Sequence, residues 1–193
     1  MQISNEFEVG QPVDKVWEFF DDIPGVAACL PGAEMTEDLG DDTYGGTVGV
    51  RMGPVKLEFA GKARILERDD AAKRMVIDAS GSDLKGRGQA AMTVTAALTP
   101  AGSGTRVRME QDLQLSGAAA QYGRGMIADV TAVLMKQFAD NAQRRIDALE
   151  RGESVDALTA KPASGLAIGM QAARMALMRV FRRFFLPYQP NPS

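Results

Sequence analysis

Thr105-Arg106-Val107-Arg108-Met109-Glu110-Gln111-Asp112-Leu113-Gln114-Leu115 carries apolar residues at most odd positions and polar or charged residues at every even one. That period of two predicts a β-strand over 105–115, with the odd positions packed inward and the even ones in water. Ser116-Gly117 ends the run, and the period then changes. Between Ala118 and Leu149, Met126 or Ile127, Val130, Val133 or Leu134, Phe138, Ala142, Ile146 and Leu149 recur at steps of three and four. This is the signature of one long amphipathic helix. At about 1.5 Å per residue it extends roughly 45 Å, enough to cross a sheet. Gly123 and Gly125 are poor helix formers at its start.

Upstream, the same alternation predicts strands at 33–39, 43–52, 55–67, 73–80 and 87–99. They are separated by the turn signals Gly40-Asp41-Asp42, Gly53-Pro54, Asp69-Asp70, Gly81 to Gly86 and Pro100 to Gly104. Ile3, Phe7 and Val9 alternate in a further strand, with Asn5 the polar member of the series. Pro12 opens a helix over 13–20 whose apolar side is Val16, Trp17, Phe19 and Phe20, and a short helix or turn covers 23–30. Consecutive strands with short turns form an antiparallel meander. One strand, two small helices, six strands and a long helix make an α+β helix-grip fold of the SRPBCC, START and Bet v 1-like kind. In it a curved seven-stranded antiparallel sheet wraps a C-terminal helix around an internal apolar cavity, the usual binding place. Glycines within the strands, among them Gly46, Gly61 and Gly81, predict bulges or tight curvature.

The inward positions identify a candidate ligand lining. It comprises Trp17, Phe20 and Leu30; Tyr44, Val48, Val50 and Met52; Leu57 and Phe59; Ile77; Met92 and Val94; Met109 and Gln111; and Met126, Val130 and Leu134. Only the Gln111 amide and the Tyr44 hydroxyl are polar there, and each can hydrogen-bond a carbonyl. The competing reading is that these side chains simply fill a core, with Tyr44 an ordinary strand aromatic. Eleven methionines favour an adaptable lining. Arg51, beside the Gly53-Pro54 hairpin, is either a rim residue or a surface charge.

The chain contains no histidine, which removes the commonest general base and metal ligand. Carboxylate or lysine chemistry would need several ionisable groups converging on the interior, and the inward faces do not supply them. No catalytic residue and no metal ligand is therefore assigned. The single cysteine, Cys29, forms no internal disulfide.

The 193 residues divide into a ligand-binding domain over 1–150, a linker over 151–165, a helix over 166–186 and a disordered tail over 187–193. Residues 1–150 carry 16 Lys and Arg against 23 Asp and Glu, whereas residues 163–193 carry four Arg and no acid. The acidic body argues against nucleic acid as its partner. In the last helix Leu166, Met170, Leu177, Phe181, Phe184 and Phe185 form an apolar side. Arg179, Arg182 and Arg183 lie opposite, with Arg174 near the edge. That pattern predicts an interfacial anchor on an anionic lipid membrane. A helix docked on its own domain or in a partner's groove is the alternative. The first residues, Met1 to Glu6, have neither the basic nor the apolar region of a secretion signal. The expected location is thus cytoplasmic, peripheral on the inner face of the cell membrane.

An ordered set of residues also resembles a known family. It runs from Pro12 and Val16-Trp17 through Cys29-Leu30-Pro31-Gly32, Tyr44, Gly46 and Val50-Arg51-Met52-Gly53-Pro54-Val55. It continues with Phe59, Gly61, Gly81, Asp83, Gly86, Gly88, Ala90, Gly104-Thr105 and Gly117 through Gly123. Over about residues 1–150 the chain resembles the CoxG family, encoded with carbon monoxide dehydrogenase. Arg51 stands where the family often has Lys, and Ala118 replaces the family's basic residue after Gly117. The resemblance implies a non-enzymatic accessory protein that recruits a carbon monoxide dehydrogenase-type molybdenum hydroxylase to the membrane and couples it to the respiratory chain. With an apolar interior joined to a lipid-binding tail, the expected bound ligand is a lipophilic small molecule, menaquinone or a related quinone, with no covalent cofactor. A pure recruitment factor without a functional ligand, and a cyclase or aromatase-like enzyme, are the alternative functions.

Overall fold

The computed structural model describes residues 1–155. The elements run β1 (Gln2–Val9), α1 (Val13–Asp21), α2 (Ile23–Cys29), β2 (Ala33–Gly40), β3 (Thr43–Met52), β4 (Val55–Asp69), β5 (Arg74–Asp83), β6 (Gln89–Ala101), β7 (Gly104–Leu115) and α3 (Arg124–Glu150). All seven strands form one antiparallel sheet in the order β1-β7-β6-β5-β4-β3-β2. Every neighbour pair is consecutive in sequence except β1 and β7. The α1–α2 pair carries the chain from one sheet edge to the other, and α3 rests on β1, α2 and α1.

Pro12 caps α1, where its missing N–H costs nothing. Burial of Val16, Trp17, Phe19 and Phe20 holds α1 down, at roughly 1.5–3 kcal/mol for each large apolar side chain. The Asp22 carboxylate accepts the Gly25 N–H at 3.0 Å and starts α2.

Two boundaries differ most from the sequence expectation. The predicted helix start at Ala118 is instead a separate 3₁₀ turn over Gly117–Gln121, and α3 begins only at Arg124. Gly117, at φ +67°, and Gly123 between the turn and α3 break the continuity. The predicted turn at Gly81 to Gly86 is also shorter, because β5 continues to Asp83.

Gly81 stays in the strand for a reason that also bends the sheet. Gly46 pairs with Gly61, and Gly61 with Gly81, giving a row of three glycines across β3, β4 and β5. A Cβ on Gly61 would lie 2.0 Å from the Ser80 carbonyl oxygen and 2.5 Å from the Gly81 Cα. The backbones approach there as only glycine allows, and the sheet creases along this row. Register shifts at Met35/Glu37, Asp38/Gly40 and Ile65/Glu67 add further bends.

Candidate ligand-binding hollow

The concave face of the sheet is lined by the positions that alternation selects. Ile3, Gln111, Val94 and Ile77 form one row across β1, β7, β6 and β5. Leu113, Met92, Ala79, Ala63 and Tyr44 form a second, extending to β3. The apolar contacts above this wall fall into two separate clusters. One, at the end nearer α1, contains Val9, Trp17, Phe20, Met75, Leu98, Phe138 and Ile146, among others. The second, at the opposite end, contains Ile3, Met52, Leu57, Ala119 and Ile127. Val94, Val130 and Val133 are buried yet join neither cluster, while Tyr44, Val48 and Met92 remain half-buried. The backbone of α3 lies closest to β1, α2 and α1, and its side chains meet the middle strands at the two ends, Phe138, Ala142 and Ile146 beside Met75 and Ala96, and Ile127 beside Met52 and Leu57.

Polar groups are sparse on this wall. Gln111 is 7% exposed, and among the described residues nothing hydrogen-bonds its side chain. The Asn5 Nδ2, on the neighbouring strand, is buried without a partner. An unmade bond at a buried amide costs roughly 1–3 kcal/mol, so such groups normally have company. The Tyr44 hydroxyl titrates above its ordinary value, through desolvation first and then through Asp38 and Asp42. The inward cation Arg68 lies at the far rim, stacked 5.4 Å from the Trp17 ring centre and paired with Asp21 and Asp70. Among the described residues no group of three or more His, Cys, Asp or Glu could hold a metal ion. No described helix is long and apolar enough to cross a membrane.

A family model, that of the carbon monoxide dehydrogenase CoxG subunit, matches residues 6–147. The chain belongs to that family. Solved structures of similar fold include a conserved protein from Geobacillus kaustophilus, 20% identical, with a TM-score of 0.68 over 76% of this chain and 95% of the other. TTHA0849 from Thermus thermophilus is 16% identical, with a TM-score of 0.54 over 75% and 98%. The ZhuI aromatase/cyclase from Streptomyces sp. R1128 is 17% identical, with a TM-score of 0.54 over 80% and 99%. Identities this low establish the shared helix-grip fold. No curated protein sequence gives a significant match.

Part of the CoxG pattern has a structural reason. Asp83 lies at the end of β5 and accepts the backbone N–H groups of Glu58 at 3.1 Å, Lys85 at 3.0 Å and Arg87 at 3.3 Å. Arg87 reaches on to the Lys56 carbonyl at 2.8 Å, and the Ala118 N–H returns to the Arg87 carbonyl at 2.7 Å. Gly86 and Gly88 supply the positive φ angles of 69° and 153° that this loop needs. Asp83, Gly86 and Gly88 therefore tie β4, β5, β6 and the 3₁₀ turn together.

The predicted lining residues fall into different surroundings. Trp17 and Phe20 are in the cluster nearer α1, with Leu30, Ile77 and Met109 packed on it. Met52 and Leu57 are in the other cluster, with Val50 and Phe59 packed on it. Tyr44, Val48, Met92, Val94, Gln111, Val130 and Leu134 belong to neither. Met126 is 46% exposed on the first turn of α3, and Ile127 takes the buried position beside it. Asn5 is the polar wall residue not singled out from sequence, although an inward carboxamide in an apolar alternation is a readable signal. Arg51 is exposed on the β3 side of the hairpin. The predicted anchor residues, Leu166 through Phe185, lie outside the described residues.

Proposed function

We propose that this protein is a non-catalytic carrier of a lipophilic molecule that couples a carbon monoxide dehydrogenase-type molybdenum hydroxylase to the respiratory membrane. The observation that carries the reading is the apolar stretch between two apolar clusters, with Val48, Met92 and Val94 on the sheet and Val130 on α3, none of which joins either cluster. Such a stretch favours an apolar occupant through burial at about 25 cal/mol per Å². Family membership supplies the oxidoreductase context. A respiratory quinone, menaquinone first, combines a lipophilic body with a redox role. The arginine-bearing segment 166–186 is the proposed membrane anchor, holding the carrier where such a ligand is exchanged. An enzyme of the cyclase kind would need an acid and a base converging on this wall; the sheet presents Tyr44 and two carboxamides there, and α3 adds one buried carboxylate, Asp129, next to Val130. The full chain, purified from quinone-containing cells and extracted with organic solvent, should yield an isoprenoid quinone by mass spectrometry. Recovery of no isoprenoid or acyl species overturns the carrier reading.

A further inference from the structure

We propose that Asn5 and Gln111 together bind the uncharged polar head of the ligand, a carbonyl or hydroxyl group. This rests on the carrier reading and specifies the chemistry of its site. Ile3 is opposite Gln111 and Asn5 is opposite Met109 in the β1–β7 ladder, so the two carboxamides are diagonal neighbours on the inner wall. Each carboxamide presents two N–H donors and one carbonyl acceptor. The Asn5 Nδ2 is buried and unpartnered, and the Gln111 side chain is without a hydrogen bond among the described residues. Val94 and Ile3 flank Gln111 on the neighbouring strands, and Asn5 lines a groove between β1 and α3 with Phe7, Ala132 and Met135 on its apolar side and Lys136 and Asp140 at its edge. The inward cation Arg68 is occupied at the rim by Asp21, Asp70 and Trp17, and Lys136, which lines a groove with Asn5, is paired with Asp140 at 3.1 Å. A carboxylate or phosphate would therefore be desolvated here without a counter-charge, whereas a ketone accepts from the amide donors and a hydroxyl uses both donor and acceptor.

The test uses the full chain with three probes, 2,3-dimethyl-1,4-naphthoquinone, 2,3-dimethylnaphthalene and 2-naphthoate. The wild type should bind the quinone about tenfold more tightly than the hydrocarbon, and the carboxylate least. In the Asn5→Leu, Gln111→Leu variant the preference for the quinone over the hydrocarbon should vanish while hydrocarbon binding persists, which also shows that the hollow is intact. An unchanged preference in that variant, or tighter binding of the carboxylate, overturns the assignment of the head site and leaves the carrier reading standing. Failure of wild-type protein to bind any of the three overturns both.

A different observation carries a second inference. We infer that the end of the body bearing the Gly53-Pro54 hairpin, the β5–β6 loop and the start of α3 faces an anionic lipid surface. The acids near this end are already matched, Asp83 to Arg87, Glu58 to Lys56 and Asp112 to the terminal amine. Arg51, Lys85 and Arg124 are exposed there and form no ion pair among the described residues. Leu84 and Met126, 60% and 46% exposed, project from the same end. Apolar side chains among unpaired cations suit a bilayer interface with negative headgroups. The opposite end exposes Asp41 and Asp42 at the β2–β3 turn. The full-length variants Leu84→Cys and Leu39→Cys, labelled with an environment-sensitive dye, test the orientation, since Cys29 is buried. Phosphatidylglycerol vesicles should shift the emission of the first label to the blue and leave the second unchanged. Equal shifts at both labels, or no shift at Leu84→Cys when the protein is bound to the vesicles, overturn it.

Discussion

The Arg87 guanidinium donates to the Asp83 carboxylate through both Nε and an Nη, each at 2.8 Å. Arg87 lowers the pKa of Asp83 foremost, and the N–H groups of Glu58, Arg87 and Lys85 add to this against the opposing effect of desolvation. A carboxylate whose folded pKa is depressed stabilises the fold above its unfolded value, near 3.8, and loses that contribution as pH falls towards the folded value. Asp83→Asn should therefore unfold at a lower urea concentration than wild type at pH 7. The gap should shrink progressively below about pH 4. A gap of equal size at pH 7 and pH 3 would show that the charge is not the source.

Gly61 and Gly123 should respond to alanine to different extents. At Gly61 the new Cβ meets backbone atoms on β5 that cannot rotate away, so overpacking should cost roughly 1–3 kcal/mol or more. At Gly123, the N-cap of α3, nothing lies within 4 Å and φ is −63°, so the change should cost only the poorer cap, below about 1 kcal/mol. Paired thermal denaturation scans read the contrast.

Trp17 is only 4% exposed, donates Nε1–H to Asp70 at 2.8 Å and has Arg68 and Lys73 near its ring. Trp17→Phe keeps an aromatic ring but loses the bond to Asp70, at a cost of about 1 kcal/mol. Chemical denaturation should place the variant below wild type, while Trp17→Ala should lose roughly 3–5 kcal/mol through the cavity it leaves.

Cys29 has a thiol pushed up to about 11, by burial first, against the lowering effect of Arg145. Native protein at pH 8 should react slowly with a maleimide, and unfolded protein rapidly. The thiol's folded pKa lies above its ordinary value of 9.0, so any stability linked to it is present below pH 9 and is lost as pH rises towards 11. Between those values wild type should lose stability relative to Cys29→Ala. Parallel curves across that interval would contradict the linkage.

Removal of residues 163–193 should sharply reduce co-sedimentation with anionic vesicles, and added salt should weaken what the full chain binds. Full co-sedimentation of the shortened chain would refute the anchor.

The sequence alone determined the order of elements and the chemistry of each strand face. Alternation along 105–115 and the step of three and four after it are local signals, set by how one residue's side chain points relative to the next. They mark Val94 and Gln111 as inward from their own strands alone. Tertiary structure decided what no single segment encodes: that Gly46, Gly61 and Gly81 align into one crease, and that Asn5 comes beside Gln111. It also placed α3 beside β1 and α2, with its side chains joined to the sheet in two separate clusters. Those relations depend on register and on packing between segments distant along the chain, where a shift of one residue would turn every side chain to the other face.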